Sequence, residues 1–319
     1  MSNLPSLLLP IQWRQNLSFT KLAQHLLSSF GALWLLVEML SFFSQPAEDW
    51  LTSHWWLFLV LGIVSAVYSS RPRNSFSYKL EGRDVVIEIL ITDAFRVPGA
   101  LIVPVNTTFD TDLGGRILKA PSIQGRFLRD YYDSNFEHLD LDIEKQIEIE
   151  NYSHLKIIDD KPGKRKQFEI GTVVRLEKQD RLFYLLALTH INQEGRASCT
   201  KEYLDDALAK LWYHLGEKGD KCDIIIPVIG TGHARLPIVR EEVIPRIIRS
   251  FIASCSSRTP CDKLTIVVYP DDVARYKINL RDLDKFLEYS CRYAQFAIPE
   301  QEQTRKTSDD SEALPVLRN

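Results

Sequence analysis

Residues 100–117, ALIVPVNTTFDTDLGGRI, decide how the rest of this chain is read. The stretch opens on an apolar run with no alternation, then breaks into Asn, Thr and Asp and reaches Gly114 and Gly115. A short, continuous apolar run bounded by turn residues suits a strand buried on both faces. Residues 223–232, DIIIPVIGTG, repeat the form: an apolar run into a loop holding Gly230 and Gly232. Outward from these two, residues 82–95, GRDVVIEILITDAF, read as a strand ending in a turn, and 263–272, KLTIVVYPDD, as a last strand. Residues 169–192 read as a hairpin turning around 177–181. Residues 201–219 form an amphipathic helix with Leu204, Ala207, Leu208, Leu211 and Leu215 on its apolar side, and 238–254 a second helix. Strands alternating with helices predict an α/β sheet covered on both faces. Ligands of such sheets bind in the crevice beyond the carboxyl ends of the strands.

Both glycine loops lie at such ends. Glycine permits the positive φ angles that aim successive backbone N–H groups at one point, and a helix start behind each loop adds its dipole. Together the two loops could clamp a diphosphate from two sides. Neither GxxxxGK[ST] nor GxGxxG occurs.

Ahead of this pattern lie two apolar stretches, residues 26–43 (LLSSFGALWLLVEMLSFF) and 50–68 (WLTSHWWLFLVLGIVSAVY), joined by SQPAED. Roughly 20 apolar residues cross a hydrocarbon core of about 30 Å as a helix. The expectation is a transmembrane helical hairpin over 26–72, with Gly62 and Ala66 giving a close-packing face. Arg14 and Lys21 precede it, Arg71, Arg73, Lys79 and Arg83 follow it, and the connector holds only Glu48 and Asp49. Excess Lys and Arg mark the cytoplasmic side. The expected location is therefore the cell inner membrane, with residues 1–25 and everything after the hairpin in the cytoplasm. Glu38, inside the first stretch, needs a partner or water.

Composition narrows the remainder. The 319 residues carry a formal charge of −3, which gives no reason to expect nucleic acid. The five cysteines form no CxxC pair and no histidine clusters near them, which argues against structural zinc and against a disulfide framework. Residues 299–319 are polar and aperiodic, as a disordered tail would be.

Residues 82–272 resemble a macro domain, the ADP-ribose-binding α/β fold. The resemblance implies a three-layer domain with a mixed central sheet, here over 78–298. It implies that Asp93 and Ala94 read adenine, that Asn106 and Thr107 lie near the distal ribose, and that Gly114, Gly115, Arg116 and Ile117 form the first glycine loop. It implies further that Gly230, Thr231, Gly232, His233 and Ala234 wrap the diphosphate, with Tyr269 on the adenine side. Residues 133–166 look like an insertion. Macro domains that hydrolyse ADP-ribosyl groups carry a second Asn three positions after the first, where Phe109 stands here, and an Asp past the glycine run, where Arg116 and Ile117 stand. Without a general base, worth typically 10²–10⁴-fold, the chain reads as a binder with no catalytic residue and no cofactor.

A membrane hairpin followed by such a domain is similar to the membrane-anchored effectors of Thoeris anti-phage defence. That resemblance implies a TIR-domain partner that makes an ADP-ribose-derived signal (histidine-ADP-ribose is one candidate), sensing by the macro-like domain, and homo-oligomers that damage membrane lipid. Two other readings stand beside it. One is a membrane-tethered ADP-ribosyl hydrolase using Asn106, Asp110, Asp112 and His233. The other is an anchor that binds a protein and no nucleotide. Asp93 as a turn cap and Asn106 as a turn former are the plain structural roles for those two residues.

Overall fold

The computed structural model describes residues 19–43, 53–69, 74–112, 122–159, 161, 163–192, 197–230 and 240–296. The expected tail, the first glycine loop and most of the second lie outside these.

The two N-terminal apolar stretches form helices α1 (Phe19–Phe43) and α2 (Trp55–Ser69). They pack on each other through small residues. Ser29 Oγ lies 3.2 Å from Ser65 Oγ, Ala66 is fully buried, and a Cβ on Gly62 would stand 2.8 Å from the Phe30 ring. The expectation of two membrane spans is corrected: among the described residues, no helix is long and apolar enough to cross a membrane. α1 has the length, but Lys21, Gln24, His25, Ser28, Ser29 and Glu38 dilute its apolar character. α2 is apolar, but its 15 residues rise only about 22 Å. Glu38 is exposed.

The rest is an α/β unit. Its strands are β1 (Ser75–Lys79), β2 (Val86–Ile91), β3 (Ala100–Asn106), β4 (Lys156–Ile157), β5 (Lys166–Gln167), β6 (Val173–Lys178), β7 (Arg181–Ile191), β8 (Ala197–Ser198), β9 (Ile224–Pro227) and β10 (Lys263–Val268). Its helices are α3 (Ile123–Tyr132), α4 (Phe136–Ile149), α5 (Lys201–Lys218), α6 (Arg240–Ser254), α7 (Pro270–Arg275) and α8 (Leu280–Arg292). The main sheet runs β1-β2-β10-β9-β3-β7-β6, with β8 paired to β7, while β4 and β5 form a separate ladder. β2, β10, β9, β3 and β7 are mutually parallel, and β1, β6 and β8 pair antiparallel at the margins, so the sheet is mixed.

Alternation along the strands feeds two cores. Ala100 and Ile102 face the side covered by α5, α6 and α8, whereas Leu101, Val103 and Val105 face α3 and α4. β7 divides likewise: Tyr184, Leu186 and Leu188 on one side, Phe183, Leu185 and Ala187 on the other. This two-sided burial is why β3 and β9 read as unbroken apolar runs. The hairpin turn falls at Gln179 and Asp180, both at positive φ (51° and 56°), as a two-residue type I′ loop requires.

One irregularity shapes the carboxyl edge. β3 and β9 pair only at Ala100↔Ile224 and Leu101↔Ile225. Beyond that, β3 follows β7 and slips by one residue between Val105 and Asn106. The chain order reverses between these two strands, the place where open α/β sheets bind ligands.

Candidate functional site

Six of the fourteen residues expected in the site are described, and four of them, Asp93, Asn106, Gly230 and Tyr269, lie at the carboxyl ends of strands of one sheet. Ile91 pairs with Val268, and the Thr92 N–H donates to the Val268 carbonyl, so Asp93 and Tyr269 follow directly from adjacent strand ends. Val267 pairs with Pro227, which leads to Gly230, and β3 ends on Asn106 at the same edge. Gly114, Gly115, Arg116, Ile117, Thr231, Gly232, His233 and Ala234 lie outside the described residues.

Asp93 caps the 3-10 turn Ala94–Arg96, accepting from the Phe95 N–H at 3.1 Å. The plain capping role is therefore present. A second partner was not legible in the sequence: Arg126 on α3 grips the carboxylate end-on, Nη1 to Oδ1 at 2.8 Å and Nη2 to Oδ2 at 2.7 Å. The guanidinium lies 4.5 Å from the centre of the Phe95 ring and its Nε reaches Asp130 at 3.3 Å. Burial pushes the Asp93 carboxyl up, but Arg126 and the Phe95 N–H outweigh burial and leave it below the usual aspartate range.

Ala94 is buried within the turn. The turn itself is held by Arg181 at the start of β7. That one guanidinium donates to the carbonyls of Ala94 (3.3 Å), Phe95 (2.7 Å), Val97 (2.8 Å) and Gly99 (3.1 Å).

Asn106 forms a turn as well as ending a strand. Its Oδ1 accepts from the Thr108 and Asp110 N–H groups at 3.0 and 3.2 Å, with the Thr108 hydroxyl oxygen 2.9 Å away. That oxygen is fully used, so what Asn106 can offer a ligand is its NH2. Thr107 is fully buried, and its hydroxyl lies 3.2 Å from His190 Nδ1. Phe109 packs edge-on against Phe168 at positive φ (51°). Gly230 adopts φ +84°, a left-handed backbone that glycine enters without penalty. Tyr269 is 48% exposed and follows the last residue of β10.

Asp110, a candidate base in the hydrolase reading, is buried and fully engaged. Lys161 Nζ, itself fully buried, lies 2.8 Å from Oδ2, the Thr108 hydroxyl donates to the same oxygen, and the Lys164 N–H donates to Oδ1 at 2.7 Å. Its carbonyl accepts from Gln124 of α3 at 2.6 Å, which ties the helix bearing Arg126 to the Asn106 turn. Among the described residues, no cluster of His, Cys, Asp and Glu could hold a metal ion.

The Thoeris protein ThsA macro domain model matches residues 87–269, more than half of the chain. This chain belongs to the ThsA macro-domain family. Thoeris protein ThsA of Bacillus amyloliquefaciens (strain Y2) is 26% identical over 224 residues, covering 67% of this chain and 71% of that protein. Among solved structures, the Oceanobacillus iheyensis macrodomain with ADP matches at a TM-score of 0.45 and 15% identity, covering 66% of this chain and 97% of that one. The Trypanosoma brucei macrodomain in complex with ADP-ribose matches at 0.42 and 9%, covering 63% and 72%. The family match makes the fold a ThsA-type macro domain, and its sheet is mixed. The matched segment starts at the second residue of β2 and ends on Tyr269, so it contains every element that carries the site.

Proposed function

We propose that this protein is the nucleotide-sensing effector of a Thoeris-type anti-phage system. An ADP-ribose derivative made by a TIR-domain partner would occupy the edge where β2, β10, β9 and β3 end. Asp93 would accept from the adenine amino group, Tyr269 would stack on the base, Gly230 and its loop would present backbone N–H groups to the diphosphate, and the Asn106 amide would meet the distal ribose. What supports this reading is that those four residues all lie at or just past the carboxyl ends of strands of one sheet, inside a ThsA family match. Binding without hydrolysis is the proposed activity, and the capture of Asp110 by Lys161 supports it. No cofactor and no nucleic acid enter the proposal.

The helical pair supplies the output. Leu27, Trp34, Leu35 and Phe42 of α1 are 68–84% exposed, and Leu61 and Val64 of α2 are also exposed. Apolar surface on that scale marks an interaction site. The proposed cover is lipid at the inner membrane, with the macro domain on the cytoplasmic side, and neighbouring copies once signal binds. A ligand can drive assembly only through higher affinity for the assembled state. Size measurement by light scattering tests this: the protein is expected to form larger particles with an ADP-ribose derivative, and Asp93→Ala to abolish the change. Growth unaffected by Asp93→Ala would overturn the proposal.

A further inference from the structure

We infer that Arg126 sets the base specificity of the cleft by fixing the Asp93 carboxylate, an inference that rests on the nucleotide reading above and deepens it. A lone aspartate at a strand end can rotate and present either oxygen to any donor. Asp93 cannot do so. Its Oδ1 receives both Arg126 Nη1 and the Phe95 N–H, whereas Oδ2 receives only Arg126 Nη2. A carboxylate oxygen accepts more than one hydrogen bond, so the remaining capacity sits on Oδ2.

Arg126 is itself immobilised. Asp130 holds Nε from the next turn of α3, and the Phe95 ring lies against the guanidinium plane. The Gln124 bond to the Asp110 carbonyl fixes the start of the same helix. Asp93 is therefore a held acceptor whose spare capacity sits on Oδ2. A base presenting an N–H there satisfies it, as adenine does with its amino group. A base presenting a carbonyl there, as hypoxanthine does, sets oxygen against oxygen in a partly desolvated place. Arg126 acts through Asp93 and is a positioning residue.

The test compares ADP-ribose with inosine diphosphate ribose by titration calorimetry on the full-length protein, its Arg126→Ala and Arg126→Lys variants, with thermal melting to confirm folding. The unmodified protein is expected to favour the adenine nucleotide by roughly tenfold or more, the value of a charged hydrogen bond. Both variants are expected to bring the ratio close to one. Lysine keeps the charge but loses the planar two-pronged grip, so it should restore affinity without restoring the ratio. If the alanine variant does not fold, the lysine variant decides alone. A retained ratio in a folded variant, or equal affinity in the unmodified protein, would overturn the inference and leave the nucleotide reading standing. Binding of neither nucleotide would overturn the inference too, and titration with the histidine conjugate of ADP-ribose then decides the nucleotide reading.

Discussion

Lys161 has no exposed side-chain surface, and its ammonium lies 2.8 Å from a carboxylate that is equally enclosed. Burying such a pair gains little against an apolar filling, but removing one member strands the other. Lys161→Met should therefore destabilise the domain by about 3 kcal/mol, measured as a shift in urea unfolding. The double variant with Asp110→Asn should recover most of that loss, and a fully additive double variant would contradict the pairing. Gly230→Ala places a side chain at φ +84° and should cost about 1–2 kcal/mol, with weaker nucleotide binding in the same titration. The Asp93–Arg126 pair carries a pH signature. The folded Asp93 carboxyl lies below its unfolded value, so the stability it contributes is present above about pH 4 and lost as pH falls further. The stability difference between the native protein and Asp93→Asn should narrow between pH 6 and pH 3; a constant difference would count against the assignment. Asp93, Gly230 and Tyr269 were legible in the sequence because each follows an apolar run directly. Arg126, Lys161 and Arg181 were not, because their partners lie 33, 51 and more than 80 residues away. Local pattern carries no record of such contacts.

At the scale of elements, the connection from β2 to β3 has eight residues and must pass from one edge of the sheet to the other. Its carbonyls cannot pair within a ladder along the way, and Arg181 serves four of them. Arg181→Ala should cost about 3 kcal/mol or more through those stranded acceptors and loosen the turn bearing Asp93. Hydrogen exchange should report faster exchange at residues 93–99 in that variant, against unchanged protection in α5. The buried strands and the β6–β7 hairpin were legible because burial on two faces leaves an unbroken apolar run. β1, with sequence SFSYK, escaped notice because a short margin strand needs only Phe76 inside. α8 carries a helical period of its own, with Leu280, Leu283, Leu287 and Cys291 buried. Apolar content located both helices, but spanning needs length and purity in the same helix, and α1 and α2 each supply one of the two.

Over the whole molecule, the two cores and the sheet between them enclose four of the five cysteines. Burial raises the Cys255 thiol to about 11 and the Cys199 and Cys291 thiols to about 12, so almost no thiolate exists near pH 8. Alkylation of the folded protein should leave these three unlabelled, with half-buried Cys222 reacting first; rapid labelling of all of them would contradict the packing. The Asp93 turn is tied to α3 through Arg126 and to β7 through Arg181, and the Asn106 turn is tied to α3 through the Asp110 carbonyl. The most direct measurement is titration calorimetry of ADP-ribose and its histidine conjugate into the full-length protein and into Asp93→Ala. Saturable binding of at least one of them at one site per chain, lost or weakened by more than tenfold in the variant, is the predicted result. No heat of binding with either nucleotide, or binding that survives Asp93→Ala unchanged, would contradict the account.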